Sequence, residues 1–169
     1  MINFRHLNAI ILIALTFTAC GLGGNSTGNS TNNDNGISFS LGDEQWYAQG
    51  YGDLAEFDGK KIMSLLGTNM DNGMDQFGIK IHDFNGIGGY KALNSGVGFV
   101  LTFSRMNKET KQTKFYQITE EEAQVTVTAY DSNLSVISGV FNFKVKDQEN
   151  NIVQIENGKF SNLKLVQIP

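Results

Sequence analysis

The chain has 169 residues, 40% of them hydrophobic and 18% charged, with one cysteine, one proline and a formal net charge of −4. A single cysteine allows no internal disulfide, so the folded part must stand on its own apolar core. The acidic balance speaks against nucleic acid, whose binding rests on clustered basic residues that neutralise phosphates.

In chain order, Arg5 follows a short polar start, Leu7 to Phe17 is apolar apart from Asn8 and Thr16, and Thr18-Ala19 leaves small side chains. That is the pattern of a signal peptide over residues 1–19, and its apolar run falls short of the roughly 20 residues that span a bilayer. Phe17-Thr18-Ala19-Cys20 resembles the lipobox of bacterial lipoproteins, with Phe17 where leucine is usual. The resemblance implies a lipid on the Cys20 sulfur, loss of the preceding peptide and acylation of the new amino terminus. At about 0.8 kcal/mol per buried methylene, two or more acyl chains hold stably where one does not, so the membrane is the expected partner through Cys20. Cleavage removes Arg5 and no acid, leaving 12 basic against 17 acidic residues, a net −5.

Residues 20–36 read as the lipidated cysteine and a tether, GLGGNSTGNSTNNDNG, without apolar periodicity. A Gly-rich tether of this length has a root-mean-square span of about 20 to 24 Å. Asn25-Ser26-Thr27 and Asn29-Ser30-Thr31 fit the N-glycosylation pattern, and behind a lipobox they are read as unmodified spacer. In Bacteroidota lipoproteins an acidic run soon after the cysteine resembles a surface-export signal, and here the first acid is Asp34. The expected address is therefore the cell envelope, at the periplasmic face of the outer membrane, with the cell surface as the alternative.

Residues 37–169 form one predicted domain whose apolar period is two. Ile37, Phe39 and Leu41 alternate with Ser38 and Ser40, Ile79 and Ile81 with Lys80 and His82, and Val97, Phe99, Leu101 and Phe103 with Gly98, Thr102 and Ser104. Val125, Val127 and Ala129, then Phe141, Phe143 and Val145, continue the pattern of strands buried on one face. Asp58-Gly59, Asn72-Gly73, Asn85-Gly86 and Asn157-Gly158 supply hairpin-turn signals, and Thr119–Ala123 allows at most one helical turn. The spacing predicts an all-β fold, an antiparallel β-sandwich of about nine strands, with a closed or partly closed β-barrel as the alternative.

Three stretches carry a further resemblance: Phe84-Asn85-Gly86-Ile87-Gly88-Gly89-Tyr90, Ser138-Gly139-Val140-Phe141-Asn142-Phe143 and Asn157-Gly158-Lys159-Phe160. Behind a lipobox and with Trp46 in the first hairpin, they resemble an uncharacterised family of small Bacteroidota lipoproteins, a domain of unknown function. Gly89 and Val140 stand where threonine is expected. The resemblance implies no activity, cofactor or catalytic residue.

Without the leader His82 is the only histidine and no free thiol remains, which excludes a Cys/His zinc site. The alternation puts His82 on the polar face of a strand end, where it reads as a surface histidine. Acids cluster at Asp43-Glu44, at Asp71 with Asp75 and at Glu120-Glu121-Glu122, all at turns or strand entrances. Asn69, Asp71, Asn72 and Asp75 lack EF-hand spacing, and Gly86, Gly88 and Gly89 precede no helix that could hold a phosphate. Aromatics gather as Trp46, Tyr47, Tyr51 and Phe57; adjacent Trp46 and Tyr47 must face opposite ways, with Trp46 inside and Tyr47 and Tyr51 as the surface pair. The expected function is a non-catalytic, monomeric binding or structural domain for a glycan, a peptide or an envelope protein. It needs no cofactor, metal or nucleic acid, and Tyr47, Tyr51 and Trp46 are its candidate contacts. The alternative is a carboxylate-based hydrolase acting on an envelope or dietary glycan.

Overall fold

The computed structural model describes residues 35–71, 74–92, 98–119 and 123–168. The signal peptide, Cys20, most of the tether, the Asn72-Gly73 turn and the acids Glu120–Glu122 lie outside the described residues. Eleven strands account for the fold. They are β1 Gly36–Leu41, β2 Glu44–Ala48, β3 Gly50–Phe57, β4 Lys60–Asn69, β5 Asp75–His82 and β6 Gly88–Lys91. Then follow β7 Gly98–Met106, β8 Thr113–Ile118, β9 Gln124–Asp131, β10 Val136–Lys146 and β11 Ile152–Ile168.

All strands belong to one sheet in the order β2-β1-β11-β3-β4-β5-β7-β8-β10-β9-β6, and β10 also pairs with β11. That second pairing closes a partial ring through β11, β3, β4, β5, β7, β8 and β10. It is not a regular barrel, because β1 and β2 extend from one side of the ring, and β9 and β6 from the other. Every pairing among these strands is antiparallel except β11 with β3, where Leu165 to Ile168 run alongside Gly52 to Ala55. The fold is thus all-β, with eleven strands rather than the nine expected, and it combines the sandwich and the partly closed barrel.

One sheet can serve as both layers because its inner faces meet through aromatic rings. Phe39 of β1 packs at 4.9 Å from Phe77 of β5. Phe141 and Phe143 of β10 lie 5.1 Å from Phe77 and 5.3 Å from Phe99. These rings are at most 2% exposed, and each aromatic of this size contributes roughly 1.5 to 3 kcal/mol by leaving water. Among the described residues the apolar positions that predicted the strands are those of the core, except Ala129, which is exposed, while Ser40 on the polar side of the pattern is buried and Val97 lies outside the described residues. The β9–β10 register shifts between Ser138 and Gly139, and this shift separates Ala129 from the buried series.

The turn chemistry holds in part. Asp58 and Gly59, with φ of 52° and 71°, join the paired strands β3 and β4 as expected of Asp-Gly. Asn157-Gly158 instead lies inside β11, where Asn157 has φ 53° and the register with β10 shifts between Phe141 and Phe143. A second shift falls between Ile137 and Gly139, opposite Asn162 at φ 47°. Both are bulges, which bend a strand without ending it. They allow β11, 17 residues long, to leave β1 and finish beside β3. Asn85-Gly86 is likewise no hairpin, since β6 pairs with β9 rather than with β5.

The three motifs of the family resemblance have packing roles. Gly139 stands opposite Phe160, and Phe141 opposite Gly158. A methyl group on either glycine would collide with the facing ring, so each phenylalanine lies over the glycine of the other strand. Outside this interlock, Asn142 Oδ1 accepts the Asn157 N–H at 2.9 Å and Ser138 Oγ accepts the Asn162 N–H at 2.8 Å. The side chains of β10 thereby satisfy the backbone donors at both bulges. In the first motif the Tyr90 hydroxyl lies 2.7 Å from the Gly86 carbonyl and 2.8 Å from Asn85 Oδ1, and it accepts the Asn85 N–H at 3.2 Å. Burial raises the Tyr90 pKa, which keeps this loop-closing donor protonated.

Candidate functional site

The strand ends bearing Glu44, Asp75 and Arg105 converge at one end of the sandwich. Arg105 follows the buried Phe99, Leu101 and Phe103 on the inner face of β7, where the core stops. Its Nη1 and Nη2 donate to the two oxygens of Glu44 at 2.9 and 2.7 Å, and its Nε donates to Asp75 Oδ2 at 2.9 Å. The Asp75 side chain is 2% exposed and the Glu44 side chain 39%. Burial opposes the guanidinium charge, but the bonds to Glu44 and Asp75 outweigh it, and the Arg105 pKa moves up.

Lys114 stands opposite Arg105 in the β7–β8 register. Its Nζ lies 3.4 Å from Asp147 Oδ2 and 3.6 Å from Glu149 Oε2, and the bond to Asp147 raises its pKa. Asp147 heads the β10–β11 turn and accepts from the backbone N–H groups of Glu149 and Asn151, each at 2.9 Å, and from Asn151 Nδ2 at 3.0 Å. The Asn151 side chain is the largest cause holding the Asp147 carboxyl below its ordinary pKa.

Beside these ion pairs opens a cleft of about 430 Å³, lined by Asp75, Arg105, Asn107, Thr110, Gln112 and Tyr116 among others. That volume is within the range of small-ligand sites. Its floor is Tyr116, whose ring stacks on the buried Phe103 at 4.8 Å and 29°. The Tyr116 hydroxyl is protonated at neutral pH and can donate, and burial raises its pKa further. The mouth is a turn built on Asn107, whose Oδ1 accepts the N–H groups of Glu109 and Thr110 at 2.9 Å each.

The aromatic candidates separate. Trp46 is buried, stacked at 4.6 Å on Phe39, and its Nε1–H has no hydrogen-bond partner among the described residues. Tyr47 and Tyr51 are both exposed. Tyr47 projects from β2, and its hydroxyl donates to the Asn35 carbonyl at 3.1 Å. Tyr51 projects from β3 beside its cross-strand partner Leu66. No ring contact joins the two among the described residues. His82 ends β5 half-buried, and desolvation together with Lys80 lowers its pKa. Asp83, the next residue, pairs with Lys60 at 3.2 Å. Among the described residues no group of three or more His, Cys, Asp or Glu could hold a metal ion.

Of the acids singled out in the sequence, Glu44 and Asp75 meet, each from a different cluster, on Arg105. Sequence reasoning missed Arg105, Lys114 and Tyr116. The alternation of Phe99, Leu101 and Phe103 continues to Arg105, and a charge in register with a core series was the available signal. The chain has no significant match to any family model, curated protein or solved structure.

Proposed function

We propose that this chain is a lipid-anchored envelope protein whose β domain binds a ligand, without catalysis, in the cleft at the β7–β8 end. The observation that carries the reading is a cleft whose groups are fixed before any ligand arrives. Arg105 is held by two carboxylates, and Tyr116 is held by Phe103. Such preorganisation removes much of the ordering cost of binding. The chain path supports display: β1 begins at Gly36 and runs about 17 Å, at 3.3 to 3.4 Å per residue, toward the Gly42-Asp43 turn beside Glu44. Gly36 therefore lies at the end of β1 away from Glu44 and the cleft. Tyr47 and Tyr51 are proposed as surface contacts outside it.

The anchor rests on the lipobox, and the family resemblance rests on motifs that packing also explains. Labelling with a palmitate analogue should mark the chain and place it with membranes, whereas Cys20→Ala should leave it unlabelled and soluble. For the cleft, a ligand at one hundred times its dissociation constant adds about 2.7 kcal/mol, a rise of several degrees in Tm. Filling the cleft with Gln112→Trp should abolish that rise; a ligand shift that survives the substitution places binding elsewhere. The hydrolase reading is favoured by one observation, the meeting of Glu44 and Asp75. Both acids are turned to Arg105 rather than across a vacant gap of the kind a glycosidic bond occupies between two carboxyl groups.

A further inference from the structure

Resting on the reading of this cleft as a binding site, we infer that its ligand is an uncharged oligosaccharide. The first reason is charge. Arg105 is paired with two carboxylates, Glu44 and Asp75, and Lys114 with two more, Asp147 and Glu149, so the acids outnumber these bases by two and an anion finds no free countercharge. A charged ligand would have to compete with these internal partners for its countercharge. Lys108 at the mouth is exposed, and an exposed cation contributes little to affinity.

The second reason is the hydrogen-bonding capacity left over. Arg105 has five N–H donors and spends three of them on Glu44 and Asp75. The Tyr116 hydroxyl, the Gln112 side-chain amide and Asn107 Nδ2 make no bond to another described residue, and among the described residues the Thr110 hydroxyl is touched only by the Gln112 backbone N–H at 3.4 Å. These groups are donors and acceptors side by side, and all but the guanidinium are neutral. A sugar hydroxyl is itself donor and acceptor at once, so it can use both kinds together. The third reason is the floor, since the flat Tyr116 ring, locked from behind by Phe103, suits the apolar C–H face of a pyranose. A ring, the two remaining guanidinium N–H donors and a rim of amides within one cleft are the requirements of a saccharide subsite.

The test uses the full chain in a detergent without a sugar headgroup, applied to a glycan array that spans neutral, anionic and cationic oligosaccharides. Calorimetry on the best neutral, anionic and cationic members follows. Neutral glycans should bind, with charged analogues of the same linkage weaker at low salt. Tyr116→Phe, which keeps the ring and its stack, should weaken binding about fivefold, the worth of one hydrogen bond. Gln112→Ala, on the exposed rim, should do the same, each with an unchanged Tm.

Tighter binding of a charged analogue overturns the inference, and so does neutral binding indifferent to both variants. If no glycan binds but an extended peptide does, in a manner blocked by Gln112→Trp, the saccharide assignment falls and the binding cleft stands. If a photo-crosslinker at Gln112 captures nothing in intact cells and the array is silent, both fall.

Discussion

At the scale of single residues, Arg105 shows that a charge can be worth more to its neighbours than to itself. It is the hydrogen-bonded countercharge of Asp75, whose side chain is 2% exposed. Removing one partner of a buried pair leaves an uncompensated charge, so Arg105→Met should cost about 3 to 5 kcal/mol. Glu44 accepts two bonds from the same guanidinium but is 39% exposed, and Glu44→Gln should cost only about 0 to 1 kcal/mol. Urea denaturation of both variants checks the contrast; equal losses would mean that the bidentate pair, not the buried acid, carries the stability. The acid clusters were legible in the sequence but their meeting was not, because Arg105 lies 30 residues from Asp75 and 61 from Glu44. Local spacing holds no information about contacts made across one intervening strand, β6, or across four, β3 to β6.

At the scale of elements, β10 and β11 show the same limit from the other side. Their alternation was readable, yet Asn157-Gly158 reads locally as a hairpin turn. What makes it a bulge is a partner strand that continues past it, with Asn142 supplying an acceptor to the Asn157 N–H. Gly158→Ala drives a methyl into the Phe141 ring and should cost about 1 to 3 kcal/mol. In the background of Phe141→Leu, which clears that space, the same change should cost less, and a double-mutant cycle measures the coupling. Additive effects would show that the ring does not enforce the glycine. The β10–β11 turn gives a prediction in pH. The Asp147 carboxyl is held below its ordinary value of 3.8, so its contribution is complete above that value and is lost as pH falls through the depressed one. Asp147→Asn should therefore lower stability at pH 7 more than at about pH 2, and make the acid limb shallower. Parallel urea midpoints across that window would show it, and an unchanged acid limb would remove Asp147 from acid denaturation.

At the scale of the whole molecule, the ring is the feature that alternation cannot reveal, since every strand reads the same whether the sheet closes or stays open. Its seams are unequal. β4 pairs with β5 at eight positions, from Ile62↔His82 to Asn69↔Asp75. Among the described residues β8 pairs with β10 at Ile118↔Val145 and Gln117↔Lys146, and the Thr119 N–H donates to the Lys144 carbonyl just beyond. Along β8, Tyr116 and Ile118 are half-buried and the other residues exposed, so little apolar area resists its separation from β10. Elements with few buried contacts open locally at lower free energy than the core. The amides of Thr113–Ile118 should accordingly exchange with deuterium at least about tenfold faster than those of β4 and β5, a difference of roughly 1.4 kcal/mol in opening. Since β8 also carries Tyr116, a ligand seated in the cleft should slow exchange in β8 and leave β4 and β5 unchanged. Free-state protection of β8 equal to that of β5 would mean that the β8–β10 seam is as firm as the rest of the ring. The cleft would then bind on a wall that does not open, and a ligand could gain nothing by closing it.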